Sequence, residues 1–214
     1  VSFMSQTAEA ITRVPSYALW LETIDQSPAY DYMVKLLKLL QWQRPGKRWV
    51  LKTPHHLEYL NMVDKHFGEV QFIWTHRDVY ECIPSFLSMI AHSRIMFSND
   101  VDTNEIAKQW VRKNGIMLSN ALKFHKNNGA AHNFIDIKYS DLVNDSIKVV
   151  QDIYDHRGET IKPSVLNTFI EANNKNPKGK YGSHTYKLSD FGIDEQFIDN
   201  YTSDYQQFQK SKSI

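Results

Sequence analysis

The chain has 214 residues, of which 42% are hydrophobic and 23% are charged, and a formal net charge of +1. This balance is ordinary for a soluble globular protein and argues against a general polyanion binder. The single cysteine, Cys82, excludes an internal disulfide and fits either a reducing compartment or simple disuse of cysteine. No apolar run could span a membrane, and "VSFMSQTAEA" is not a signal peptide. The compartment stays open, with a cytoplasmic location favoured for the chain as given. Because the first residue is Val1, we expect further chain in front of it.

The first predicted elements in chain order are a helix, a strand and a second helix. Apolar residues recur at helical spacing over 29–43 and predict an amphipathic helix. The apolar run 48–52 predicts a short buried strand. Thr53 is then the expected N-cap and Pro54 the first residue of a helix that ends at Gly68.

The next predicted pair is a β-rich strand over 70–76 followed by a helix. Asp78 and Glu81 have capping-box spacing, so this helix should begin at Val79 and reach about residue 92. Pro84 lies inside it and should bend it or strain one turn.

The remaining chain predicts four further helices, one strand and a loop. These are a helix over 103–127, a strand over 132–139, a helix over 140–158, a helix beginning near Pro163, a basic glycine-containing loop over 177–192 and a last helix over about 194–208. Alternating strands and helices predict an α/β fold, a three-layer sandwich with a small central parallel sheet flanked by helices. We expect one domain over 1–214 whose N-terminal strand lies outside this chain, since three strands are few for such a sheet.

The predicted strand ends carry the candidate site. Lys52, Arg77 and Lys138 each stand close to the start of a following helix, where free backbone N–H groups and the helix dipole favour an anion. Together they suit several phosphate or sulfate groups, and Ser85 could reach the same groove from two turns into its helix. Taken alone, each has an ordinary alternative: Lys52 as solvated surface, Arg77 paired with Asp78 or Glu81, and Ser85 as a simple helix serine.

Taken together, four motifs in the sequence indicate one protein family. "LKTPHHL", then "FIWTHRD" with a serine eight residues after its arginine, then "KYSDL" and a basic "PKGKYG" loop resemble the sulfotransferases that use 3′-phosphoadenosine 5′-phosphosulfate (PAPS). The likeness covers roughly residues 49–192. It implies that the chain transfers a sulfuryl group from PAPS to an acceptor hydroxyl or amine, with PAPS as co-substrate and without a metal.

The resemblance also implies roles for particular residues. Arg77 and Ser85 would hold the 3′-phosphate, and Tyr139 would lie by the adenine. The basic loop would add Lys178, Gly179 and Lys180, although the family's arginine is not matched there. The family's catalytic Lys-Thr-His piece corresponds to Lys52-Thr53-Pro54-His55, with the histidine one place late. The base is therefore His55, His56 or an acid elsewhere, with Lys52 stabilising negative charge and lowering the pKa of His55.

One departure from the family keeps alternatives open. No glycine-rich loop for the 5′-phosphosulfate occurs in the chain, which could therefore be inactive alone or serve as a non-catalytic nucleotide-binding or interaction module. A P-loop kinase is disfavoured because no GxxxxGK[ST] string is present. Expected partners are a small-molecule, glycan or lipid acceptor. Nucleic acid is not expected, because the basic residues are not interleaved with aromatic residues along one face.

Overall fold

The computed structural model describes residues 4–46, 48–128, 134–177 and 185–214. Within these ranges the α-helices and β-strands, numbered in chain order, are α1 (Thr7–Ile11), α2 (Pro15–Thr23), α3 (Ser27–Gln43), α4 (Leu60–Phe67), β1 (Phe72–His76), α5 (Val79–Ile95), α6 (Thr103–Asn128), β2 (Phe134–Lys138), α7 (Tyr139–Asn144), α8 (Ser146–His156), α9 (Pro163–Lys175) and α10 (Glu195–Lys212). Two 3₁₀ helices, Pro54–Glu58 and Leu188–Phe191, complete the described part of the chain.

The sheet has two parallel strands, β1 and β2, in a register that pairs Phe72 with Phe134 and His76 with Lys138. Helices α5 and α6 lie between these strands in the chain, as a parallel crossover requires. The predicted α/β class with a small parallel sheet is confirmed. The fold is mostly helical, because the described residues contribute only these two strands.

The predicted strand over 48–52 is wrong. These residues form an extended, exposed segment, and Val50 is 84% exposed. An apolar run becomes a buried strand only when a neighbouring strand satisfies its backbone, and no described strand pairs with this one. Side chains hold it instead: Arg48 binds Glu159 at 2.6 and 3.1 Å, and Trp49 donates to Gln41 at 2.9 Å.

The helix predicted from Thr53 to Gly68 is divided in two. The Thr53 side chain does accept from the His55 backbone, and Gly68 ends α4 with a φ of +71°. Between them the chain leaves helical geometry at Tyr59, with φ −129° and ψ 38°. The break lets both Glu58 and Leu60 point inward, whereas residues two apart on a continuous α-helix face different directions.

The later helices follow their predicted starts more closely than their predicted ends. Helix α5 begins at Val79 but runs on to Ile95, and the predicted helix over 140–158 breaks at Asp145. Asp145 N-caps α8 by accepting from the Lys148 backbone at 2.9 Å. Helices α1 and α2 were not predicted, since both are short and α2 has hardly any amphipathic pattern.

The core lies between the sheet and helices α4, α5, α6 and α10. Gly115 of α6 brings α10 very close, since a Cβ built there would lie 2.7 Å from the carbonyl oxygen of Tyr201. Helix α3 forms as predicted and packs on α4. Its apolar residues Leu36, Leu39 and Trp42 are exposed, however, and only Tyr30 is buried. No helix in the described ranges is both long and apolar enough to cross a bilayer.

Candidate functional site

The parallel register determines which residues meet at the carboxyl end of the sheet. His76 is paired with Lys138, so the chain delivers Arg77 and Tyr139 next to each other as the two strands end. The guanidinium carbon of Arg77 lies 4.6 Å from the centroid of the Tyr139 ring. This distance is typical of a cation–π contact. Two residues that are 62 positions apart in the chain therefore form one surface.

The Arg77 guanidinium is only partly engaged by the protein. The Nε atom donates to Glu81 Oε2 at 3.2 Å. The backbone oxygen of Arg77 accepts from Gln209 Nε2 at 3.4 Å. The two terminal nitrogens have no hydrogen-bond partner among the described residues. The ordinary alternative, pairing with Glu81, is thus present, and it leaves the two donors that bind a phosphate bidentately.

An open groove of about 870 Å³ surrounds these groups. Its lining includes the first turn of α5, where Asp78 Oδ1 accepts from the Tyr80 backbone at 2.7 Å as an N-cap. Arg77 and Lys138 add positive side chains, while Asp78 and Glu81 are the acidic members of the lining. Cations, a helix N-terminus and an exposed aromatic face suit a ligand that carries both phosphate and a planar ring.

A buried polar chain lies directly behind the groove. His76 Nε2 shares a 2.9 Å hydrogen bond with Asp136 Oδ1, and His76 Nδ1 shares one of 2.9 Å with the Tyr205 hydroxyl. His125 approaches the other Asp136 oxygen at 3.4 Å. Burial alone would raise the pKa of Asp136. The hydrogen bond with His76 and the electrostatic effect of His76 and His125 outweigh burial, so the pKa is lowered. The residue preceding Arg77 is thereby held between β2 and α10.

Not every predicted ligand of the 3′-phosphate meets at this groove. Ser85 is half-buried in α5 and is not among the groove's lining residues. Lys178, Gly179 and Lys180 lie outside the described residues. The structure thus brings Arg77, Lys138 and Tyr139 together, and it places Ser85 further along the helix.

The predicted catalytic residues do not line the groove. Lys52 is exposed, and none of Lys52, His55 and His56 lines the Arg77 groove. His55 packs against the Tyr59 ring with centroids 5.0 Å apart, and His56 Nδ1 shares a 2.9 Å hydrogen bond with the Tyr30 hydroxyl. Both histidines are partly buried at the start of the 3₁₀ helix.

The pKa values of both histidines are lowered, but the main cause is not the one expected from the sequence. Burial, followed by the charges of His56 and Lys113, lowers the pKa of His55 to about 4. Burial also lowers the pKa of His56. The prediction of a neutral His55 agrees with this direction. The pKa is lowered by burial and Lys113, however, and not by Lys52 as the sequence predicted.

Beneath the histidines lies an ionic cluster that sequence reasoning missed. Lys113 is 1% exposed and binds Glu58 at 2.9 Å, with Glu22 3.6 Å away. A signal was available in the sequence: Lys113 stands three residues after Trp110 and four before Met117, on the apolar face of α6. A lysine on such a face needs a buried acidic partner.

The wall contributed by α10 was also missed. Gln206, Gln209 and Lys210 line the groove with Arg77 although they follow it by about 130 residues. No local pattern could have indicated this, because their position depends on how α10 packs against α5 and α6.

The fold is that of an α/β protein, with an open groove lined by basic side chains beyond the carboxyl ends of its parallel strands. Residues 1–163 match the profile of the sulfotransferase family, and the chain therefore belongs to that family. The sequence-based recognition of this family is confirmed.

Two solved structures have the same fold. Sulfotransferase STF9 from Mycobacterium avium is 21% identical with a TM-score of 0.88, and the match covers 96% of this chain and 53% of that one. Sulfotransferase STF1 from Mycobacterium tuberculosis H37Rv is 27% identical with a TM-score of 0.77, covering 90% of this chain and 49% of that one. The chain thus spans about half the length of these structures. A comparison with curated protein sequences gave no match.

Proposed function

We propose that the chain binds PAPS through the Arg77 groove and takes part in sulfuryl transfer to an acceptor hydroxyl or amine. The observation that carries the proposal is the pairing of Arg77 with Tyr139 at the end of the parallel sheet, in a chain of the sulfotransferase family. When bound, the donor supplies an activated sulfuryl group on a phosphate leaving group.

The groove's residues fit the 3′-phosphate end of this donor. The two terminal nitrogens of Arg77, which no described residue binds, provide a bidentate phosphate site, and Lys138 adds a second cation. The first turn of α5 also favours the negative charge of a phosphate. The Tyr139 side chain is 37% exposed and offers a ring edge or free face to the adenine. Ser85 and the Lys178–Gly179–Lys180 loop remain predicted ligands.

The catalytic assignment rests on the His55–His56 turn. His55 is neutral near pH 7, as a general base must be, and its Nδ1 atom is buried without a partner among the described residues. Its Nε2 atom is therefore the ring nitrogen proposed to take the acceptor proton as the acceptor oxygen or nitrogen bonds to sulfur and the S–O bond to the phosphate breaks. Lys52 is proposed to stabilise the charge on the departing phosphate. His56 is the alternative base.

The acceptor is proposed to be a small molecule, glycan or lipid that carries a hydroxyl or amine. A cytoplasmic location is part of the same proposal, and the single Cys82 supports it.

The nucleotide assignment is tested by calorimetry with 3′,5′-diphosphoadenosine, the desulfated product. Replacing Arg77→Ala removes a charge-assisted phosphate clamp, which should cost about 2 kcal/mol, or roughly 30-fold in affinity. Arg44→Ala is the control, because Arg44 is an exposed arginine at the end of α3 that does not line the groove. Equal affinities for wild type and Arg77→Ala would contradict the assignment.

A non-catalytic nucleotide-binding module is the second candidate. It is supported by the separation of the predicted nucleotide and catalytic residues, since none of Lys52, His55 and His56 lines the Arg77 groove. It predicts that 3′,5′-diphosphoadenosine binds while no radiolabelled sulfuryl group passes from PAPS to any acceptor in a phenol, amine and glycan panel. Transfer that is lost in His55→Ala would support the enzyme.

A further inference from the structure

Helix α10 shapes the Arg77 groove although it lies beyond the part of the chain that matches the family profile. That match ends at residue 163, whereas α10 spans Glu195–Lys212. Gln206, Gln209 and Lys210 nevertheless line the groove with Arg77. Any ligand that fills the groove therefore contacts a wall that the family match does not include.

The position of this wall is fixed by buried contacts. Tyr205 is 4% exposed, and its hydroxyl bonds to His76, the residue that precedes Arg77. Gln209 donates to the Arg77 carbonyl oxygen, and Gly115 of α6 lets the Tyr201 backbone approach closely. Helix α10 is thus attached to β1 and α6, and its groove-facing side chains have a defined place relative to Arg77.

Lys210 has a specific electrostatic position in the groove. It lies in the last turn of α10, where free carbonyl groups point outward and carry partial negative charge. Among the described residues Lys210 forms no ion pair within 4.0 Å. The pKa of Asp199 is lowered mainly by its hydrogen bonds with Tyr80 and Gln206, and the charge of Lys210 adds a smaller effect. Without a cation there, the end of α10 would repel an anion in the groove.

The charges expected on the ligand exceed what Arg77 and Lys138 supply. Asp78 and Glu81 also line the groove, and Glu81 already pairs with Arg77. A nucleoside bisphosphate carries about three to four negative charges near neutral pH. Lys210 is a further positive side chain of the lining, and it makes the local field more favourable to such a ligand.

We propose that Lys210 of α10 is a further phosphate-binding residue, so that the C-terminal helix forms part of the nucleotide site. This inference rests on the proposed function, since the ligand is the nucleotide that Arg77 is proposed to bind. Gln209 and Tyr205 act as positioning residues for Arg77.

The test compares Lys210 with Lys212, which lies two residues further along α10 and does not line the groove. Affinity for 3′,5′-diphosphoadenosine is measured by calorimetry at low and high salt. Lys210→Met should weaken binding about threefold and Lys210→Glu about tenfold, typical of a partly screened phosphate contact. Lys210→Arg should retain the affinity, and salt should weaken Lys210→Met less than wild type.

The outcomes separate this inference from the proposed function. Weaker binding in both Lys210 variants, with Lys212→Met and Lys212→Glu close to wild type, supports the proposal. Equal losses at both positions would mean a non-specific charge effect and overturn it. A lower melting temperature for Lys210→Met with unchanged affinity would assign Lys210 to helix-end stabilisation alone and also overturn it. If Arg77→Ala weakens binding and Lys210→Glu does not, only this inference fails.

Discussion

Arg77 connects the local sequence to the groove through three contacts of different kinds. Glu81 binds its Nε atom, the Tyr139 ring faces its guanidinium, and Gln209 binds its carbonyl oxygen. The first contact joins residues four apart in the chain, and the sequence offered it as an alternative role for Arg77. The second follows from the register of β1 and β2, which the structure supplies. The third depends on α10 and was not accessible from the sequence, because it joins residues 132 positions apart.

The burial of His55 predicts that the stability of the protein depends on pH. Burial, His56 and Lys113 lower its pKa from 6.5 to about 4 in the folded protein. Between these pH values the unfolded chain binds more protons, so the stability that His55 contributes is present above about pH 6.5 and is lost as the pH falls towards 4. At about 1.4 kcal/mol per pKa unit the effect is at most about 3.5 kcal/mol.

The measurement is urea unfolding, followed by tryptophan fluorescence, between pH 7 and pH 4. His55→Gln should unfold with a flatter dependence of the free energy of unfolding on pH than wild type. His92→Gln serves as the control, since His92 is exposed. Parallel profiles for wild type and His55→Gln would rule out a buried, neutral His55.

The Lys113–Glu58 pair predicts a strong, partner-dependent loss of stability. Lys113→Met leaves Glu58 buried without its cation, which should lower the free energy of unfolding by about 3–5 kcal/mol. Adding Glu58→Gln should restore part of that loss, because the uncompensated charge is gone. Lys108→Met, at an exposed position of α6, should change stability by less than about 0.5 kcal/mol. An equally small change for Lys113→Met, measured by urea unfolding, would show that the pair is not buried.

At the scale of elements, Gly115 predicts how closely α6 and α10 must pack. A Cβ at this position would lie 2.7 Å from Tyr201 O and 2.8 Å from Tyr201 Cβ, and neither atom can rotate away. Gly115→Ala should therefore lower the free energy of unfolding by about 1–3 kcal/mol, despite alanine's better helix propensity.

Gly46→Ala is the matched control for Gly115. A Cβ at residue 46 would have its nearest neighbour 4.0 Å away, so its effect should be within about 0.5 kcal/mol. A stabilised Gly115→Ala variant in thermal unfolding would show that α6 and α10 are further apart than described.

Elements whose boundaries depend on local chemistry were predicted well from the sequence. Thr53 and Asp78 cap their helices through their own side chains, and Gly68 ends α4 in a positive-φ conformation. The failures depend on distant partners. The run 48–52 has no strand beside it among the described residues, and the break at Tyr59 accompanies the burial of Glu58 against Lys113.

At the scale of the whole molecule, the candidate site is divided between two regions. The Arg77 groove is built from β1, β2, α5, α7 and α10, while His55 and His56 belong to the 3₁₀ helix that packs on α6. The family resemblance predicted residues in both regions. The sequence could not reveal the α10 wall or the ionic cluster beneath the histidines, because both arise from helix packing.

The central claim is that the Arg77 groove recognises the 3′-phosphate of a nucleotide, and a ligand comparison on the wild-type chain tests it most directly. Calorimetric titrations with 3′,5′-diphosphoadenosine and adenosine 5′-monophosphate differ only in that phosphate. The bisphosphate should bind tighter by about tenfold or more, the effect of a charge-assisted hydrogen-bonded contact. Equal affinities for the two nucleotides would contradict the claim.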